Sequence, residues 1–246
     1  MDRMLYVAMS GAKETMFAQA NNANNLANAN TTGFKQDFNV FRAQFVEGPG
    51  WDSRAYAMDE RPATDFSPGA INLTWRNLDV YTETDGFMAI QTPNGSEALI
   101  RTSSMQVQPD GSLVDQEGNS VLNAGGTAIV LPPYEDLSIA DDGTILLQPV
   151  GAELNEVVAI DQLRLVKPDF QLLQKDKDGY IRFQGDRDLT QAEVRVTSGA
   201  LEASNVSTVG ALVDMIELSR KYEMQIKMMS TSKTHAQKSD QLLSIR

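Results

Sequence analysis

The chain has 246 residues, a formal net charge of −12, no cysteine and one histidine, His235. Disulfide frameworks, thiolate metal sites and cysteine nucleophiles are excluded, and a histidine-based triad or multi-histidine centre lacks material. The acidity argues against nucleic acid and anionic membrane surfaces as partners, and no run approaches the roughly eighteen apolar residues of a membrane span.

The charge is unevenly spread. Residues 78–200 carry 20 acidic and 8 basic side chains, whereas residues 1–77 carry 8 and 7, and residues 201–246 carry 5 and 6. Solvated surfaces carry net charge cheaply and packed ones do not. The middle reads as exposed, the two ends as packing material.

At the N-terminus, Met1–Glu14 lack the charged start, apolar core and small-residue cleavage site of a secretory signal. The expectation is a cytosolic protein or one that leaves by another route. Leu5, Met9, Ala12, Met16, Gln19, Ala23 and Leu26 step alternately by four and three, the repeat of a coiled-coil seam. From Thr15 to Phe34 there is no charge, and Asn22, Asn25 and Asn28 occupy the face where Lys and Glu usually stand. One reading is a plain amphipathic helix ending in a turn with Gly33 at or near C′. The other, which explains the missing charges, is a helix covered on several sides by other chains. Neutral amides suit such a place, because they bond without the desolvation penalty of an ion.

Residues 36–77 hold Gly48-Pro49-Gly50, Arg61-Pro62 and Ser67-Pro68-Gly69 and read as an extended, irregular connector. Beyond them Asn94-Gly95, Asp110-Gly111, Glu117-Gly118, Asp142-Gly143 and Asp178-Gly179 punctuate short alternating runs, the texture of antiparallel β structure. The chain ends in a second long helix, with Ser204, Asn205 or Ser207 as its N-cap. There Leu218, Tyr222, Gln225, Met229, Ser232, Ala236, Ser239 and Leu243 form another three-four seam. Val209, Leu212, Val213, Ile216, Ile226 and Met228 add a second apolar stripe, which implies more than one neighbour.

Candidate chemistry is thin. Lys175–Tyr180 lacks the alternating carboxylates and final glutamate of a calcium loop and reads as a charged hairpin turn. Asp85-Gly86-Phe87 has no phosphate loop or catalytic-loop motif beside it. The pairs Asp141-Asp142 and Asp186/Asp188 sit in turn-like contexts, and His235 lies on a polar stretch. No catalytic, cofactor-binding or metal-ligating residue is assigned, and neither a cofactor nor a small-molecule substrate is expected.

Three segments resemble the bacterial flagellar rod and hook proteins: Asn24–Lys35, Leu78-Asp79-Val80 with Asp85-Gly86-Phe87, and Ser198–Val206. The opening Met4–Ala12 and the ending Gln241–Ser244 are similar to a proximal rod subunit. After Val206, where many relatives place acidic residues, Ser207–Ala211 is neutral. The resemblance implies a non-enzymatic structural subunit of the rod that transmits motor torque in the periplasmic space. It would be exported through the flagellar apparatus without a cleaved signal, and its partners would be other axial proteins and copies of itself. Another axial role, distal rod or hook-type, is the first alternative; a soluble enzyme built on the β domain is the other.

The expected fold is α+β. Residues 1–35 and 204–246 would be paired helices forming a coiled-coil-like assembly domain, 36–77 a connector, and 78–203 an acidic, mainly antiparallel β domain. The expected assembly interface comprises Leu5, Met9, Ala12, Met16, Asn22, Asn25, Leu26, Asn28, Gly33, Phe34, Ser204, Asn205, Val206, Leu218, Tyr222, Met229 and Leu243.

Overall fold

The computed structural model describes residues 3–45, 55–83, 85–151, 157–176, 178–185 and 189–243. The fold is α+β, with a helix at each end and antiparallel sheets between them. The chain divides into two compact units.

The first unit comprises residues 1–29, 35–65 and 206–246. Its helices are α1 (Arg3–Ala27) and α2 (Thr208–Leu243). Thr15 Oγ1 lies 3.0 Å from Gln225 Oε1, and Asn22 Nδ2 donates to Ala211 O at 2.7 Å. As α1 advances its partner position on α2 recedes, so the two helices run antiparallel. Ser207 caps α2: its Oγ accepts from Gly210 N at 3.2 Å.

The helix expected to run to Phe34 stops at Ala27, and Gly33, six residues beyond, is not its cap. The irregular connector expected over 36–77 is also corrected. Asp37–Phe45 and Ala55–Thr64 pair as an antiparallel hairpin, with Asp37 opposite Thr64 and Phe45 opposite Ala55. Pro62 had argued against a strand. It falls where the register shifts between Phe38 and Val40, so its missing N–H interrupts no ladder.

The second unit comprises residues 30–34 and 66–205. Its main sheet runs, in order, through 173–175, 181–183, 97–100, 87–91, 120–121, 113–114 and 106–107, with 165–166 also on 87–91. Strands 134–139, 144–149 and 158–162 form a second sheet, and 196–198, 79–82 and 102–104 a third. The core buries Met88, Ile90, Met105, Leu113, Ile129, Ile145, Leu147, Leu163 and Leu165. A second cluster gathers Phe87, Leu99 and Val166, with Phe66 stacked on Phe170 at 5.5 Å. The turn glycines read from sequence do what their turns require: Gly95, Gly111, Gly118, Gly143 and Gly179 all have positive φ. Asp110, Asp142 and Asp178 each accept, through Oδ1, the backbone N–H two residues on.

Candidate assembly surfaces

The side of α1 turned towards α2 is made of small and polar residues. Ala8, Ala12, Thr15, Ala18, Asn22 and Asn25 are buried at helical spacing. Small side chains let two helices approach closely, and the remaining polar groups bond across the gap. A Cβ on Gly11 would lie 2.9 Å from Gln225 Nε2.

The expected amide-rich face is therefore partly inside the chain. Asn25 is 3 % exposed and grips the first residue of the hairpin at both ends of its amide. Its Nδ2 donates to Asp37 O at 2.6 Å, and its Oδ1 accepts from Asp37 N at 3.0 Å. Asn22 bonds α2, as described. Asn28, half-buried and just past the end of α1, donates to Asn24 O at 2.9 Å. The missing charges at positions 22 and 25 need no neighbouring chain, because packing within one chain accounts for them.

Of the α1 seam, Ala12 is buried and Leu5 and Leu26 are half-buried, but Met9 and Met16 are 52 % and 62 % exposed. They share the outward side with Tyr6 and Phe17, also exposed, and with Lys13, whose Nζ lies 5.4 Å from the Phe17 ring centroid. On α2 the seam residues Leu218, Tyr222 and Met229 are half-buried. Val209, Leu212, Val213, Ile216, Met224, Ile226 and Met228 are exposed. Leu243 is the last described residue of α2, and its side chain lies outside the described ones.

In the second unit Gly33, Phe34, Ser204 and Asn205 are all half-buried, as is Val206, which opens the last segment of the first unit. Gly33 N donates to Glu202 O at 2.8 Å and Asn205 N to Phe34 O at 3.3 Å. Gly33 has φ +70°, and a Cβ there would meet Thr102 Cγ2 at 2.7 Å, so glycine is required twice over. Lys175 Nζ sits 3.8 Å from the Phe34 ring centroid. Asn205 Nδ2 donates to Ser67 O at 3.2 Å.

A buried ion pair that sequence reasoning missed supports this segment. Arg101 Nε donates to Glu202 Oε2 at 3.0 Å with both side chains almost wholly buried. Glu202 Oε1 accepts from Gly69 N at 2.8 Å, and the guanidinium lies 5.6 Å from the Phe87 centroid. Removing one partner of such a pair leaves an uncompensated buried charge. Its only sequence signal was a glutamate inside the Ser198–Val206 motif.

The other candidates are solvated turns. Arg182 pairs with both Asp176 and Asp178, tying together the segment first compared with a calcium loop. Asp141 and Asp142 stand at a turn beside Gly143. Hydrogen bonds hold two turn carboxyls below their ordinary value, Asp110 chiefly through the Ser112 side chain and Asp142 chiefly through the Thr144 amide. His235 is exposed on α2, and Asp186 and Asp188 lie outside the described residues. Among the described residues no helix is long and apolar enough to cross a membrane.

Three family models match in chain order. Residues 5–35 match the flagella basal body rod protein, 82–147 the flagellar hook protein FlgE/F/G D1 domain, and 197–242 the flagellar basal body rod FlgEFG protein C-terminal. Over 252 aligned residues the chain is 39 % identical to the flagellar basal-body rod protein FlgF of Escherichia coli (strain K12), covering 100 % of both. It is 37 % identical to FlgF of Salmonella typhimurium, again over 100 % of both chains. To the flagellar basal-body rod protein FlgG of Bacillus subtilis it is 26 % identical, over 94 % of this chain and 95 % of the relative. At that identity and coverage, the chain belongs to the flagellar basal-body rod protein family.

Proposed function

We propose that the chain is a structural subunit of the proximal part of the flagellar rod. In this reading its two helices and hairpin form a discontinuous assembly domain, and the acidic β unit is a separate unit of the same chain. Other axial rod proteins and copies of itself would cover the outward sides of α1 and α2. The mature subunit would stand in the rod within the periplasmic space and pass motor torque along it. The flagellar export apparatus would deliver it without a cleaved signal.

One observation carries the assembly reading. The outward side of α1 shows Tyr6, Met9, Met16 and Phe17, at 57, 52, 62 and 45 % exposure, with Lys13 as its charged member. The first turns of α2 add Val209, Val213 and Ile216, each at least half exposed. Single apolar residues on a surface are ordinary, but contiguous stripes along two helices mark a face that another chain covers. A tubular assembly supplies such chains on several sides.

Deletion of the gene tests this. The expected result is assembly halted within the rod, with neither hooks nor filaments on the cells, and recovery of motility by the intact gene. Normal hooks in the deletion strain would remove the assignment.

A further inference from the structure

The short strand Ile71–Leu73 lies at an open edge of the second unit. Among the described residues it pairs only with Ala200–Glu202, antiparallel, with Ile71 opposite Glu202 and Leu73 opposite Ala200. Ala203 N donates to Ala70 O and Thr74 N to Gly199 O, both at 2.8 Å. These bonds set the phase of the ladder: the backbone groups of residues 70, 72 and 74 turn inward to Ala200–Glu202. Those of Ile71 and Leu73 therefore turn outward, where no described group bonds them. Free N–H and C=O groups along an exposed strand are a template for another strand.

The side chains on this edge are apolar and uncovered. Ile71 and Leu73, 53 and 66 % exposed, share one face of the strand, and Trp75, 83 % exposed, follows two residues on. Trp75 has φ +61° and is the one described non-glycine residue in the left-handed region. For so bulky a side chain that backbone is strained. Its N–H shares the Gly199 carbonyl, at 3.0 Å, with that of Thr74, which holds the conformation in place. Burial within the chain does not offset the strain, because the indole stands in water. A strained, exposed tryptophan beside a free strand edge points to a contact made outside the chain.

The size of the patch selects its occupant. Three such side chains bury on the order of 400 Å², well short of the ~800 Å² that each partner of a standard interface buries. A globular face would find too little here to hold. An extended segment needs less width, and it brings the N–H and C=O groups that the outward groups of Ile71 and Leu73 lack. A saccharide would stack on Trp75 but leave the edge unpaired. We propose that Ile71–Leu73 receives an added β-strand, an extended segment of a neighbouring rod subunit with apolar side chains at alternate positions, and that Trp75 packs on it. The inference rests on the rod reading, which supplies the neighbour, and gives the β unit a contact of its own, separate from the helices.

The test uses assembled rods from the deletion strain complemented with full-length variants. A benzophenone amino acid is placed in turn at positions 71, 73 and 75, purified basal bodies are irradiated, and the adducts are mapped by mass spectrometry. All three positions are expected to reach one partner segment, with successive attachment points about two residues apart, the repeat of a strand. Adducts scattered over unrelated segments, a saccharide adduct, or no adduct in rods that contain the protein would each overturn the proposal. Two substitutions then separate the edge from the fold. Leu73→Pro removes an outward N–H that the chain itself does not use, so the isolated protein should keep its circular dichroism while motility is lost. Should it fail to fold, Ile71→Thr/Leu73→Thr replaces it, keeping strand propensity while removing the apolar stripe. Trp75→Gly relieves the strain, so the β unit of the isolated chain should melt a few degrees higher while motility falls. Wild-type motility in the edge variant and in Trp75→Gly would equally refute the added strand. Absence of the wild-type chain from purified basal bodies would instead remove the rod reading, and this inference with it.

Discussion

Asn25 does at one position what a β ladder does along a strand, meeting the N–H and C=O of Asp37 with one amide. The pairing is specific to an amide. Asn25→Asp keeps the shape but loses the Nδ2 donor and sets a carboxylate oxygen against Asp37 O. In a site this buried, the change is expected to lower stability by about 2–4 kcal/mol. Asn28→Asp, half-buried just past the end of that helix, should change it by less than ~0.5 kcal/mol. Urea denaturation of both variants checks the pair; equal small losses would mean that the Asn25 contact contributes nothing to the fold. Tyr180 makes a second residue-scale case. Its phenol is pushed up to about 12, first by burial and then by its hydrogen bond to Glu117, against the lowering donation from Asn119. The folded state holds this proton more tightly than the unfolded chain does. The stabilisation is therefore complete below about pH 10 and is lost as pH rises towards 12. Among the six tyrosines, one should ionise late in an absorbance titration, and Tyr180→Phe should remove that late phase. A titration with every phenol ionising near pH 10 would contradict the contact.

At the scale of elements, legibility in the sequence tracked the kind of signal each element carries. Turns rest on backbone chemistry that few residues supply, so the Asp-Gly and Asn-Gly steps marked the β unit, and the structure gives Gly95, Gly111 and Gly143 the positive φ that such turns use. On α2, Leu218, Tyr222 and Met229 of the expected seam are half-buried and Ser232 is buried, whereas Ser239 is exposed. On α1 the same method chose a stripe that includes the exposed Met9 and Met16. Hydrophobic periodicity gives weight to large side chains, whereas the buried residues of α1 are Ala, Thr, Asn and one Glu, Glu14. A close helix–helix contact made of small residues leaves almost no trace on a hydropathy pattern. The hairpin at 37–64 was hidden differently. Arg42, Asp59, Glu60, Arg61 and Pro62 interrupt any simple alternation, and the proline reads as a breaker until the register shift beside it is known. The Arg101–Glu202 pair joins residues a hundred positions apart, and no local pattern reports such a meeting.

At the scale of the whole molecule, the described side chains of the two helices and of the β unit bury very different material. The β unit holds Phe87, Met88, Ile90, Leu99, Met105, Leu113, Ile145 and Leu147, all below 3 % exposure. A large apolar side chain fully removed from water contributes about 1.5–3 kcal/mol. The buried apolar residues of the two helices are Ala8, Ala12, Ala18 and Ala211, each worth a fraction of that. Their buried polar companions are Glu14, Thr15, Asn22, Asn25 and Ser232. The hydrogen-bonded Thr15, Asn22 and Asn25 contribute only about 1 kcal/mol net per bond, while Glu14 Oε2 and Ser232 Oγ are buried without a partner among the described residues. The conformational entropy of ordering 25 residues in α1 and 36 in α2 is not reduced to match. The two units should therefore unfold separately, the helical one first. Heating the isolated chain is expected to remove the helical circular dichroism in an early transition and the β signal in a later one. Limited proteolysis below the second transition should leave a fragment close to residues 66–205, readable by mass. A single transition shared by both signals, with no resistant fragment, would show that the units fold as one. In an assembly the outward Met9, Met16 and Val213 become buried against neighbours, adding the apolar area that the lone helices lack. Hydrogen exchange in α1 and α2 should then slow sharply on assembly, while exchange in the 87–91 and 97–100 strands, already buried, should change little.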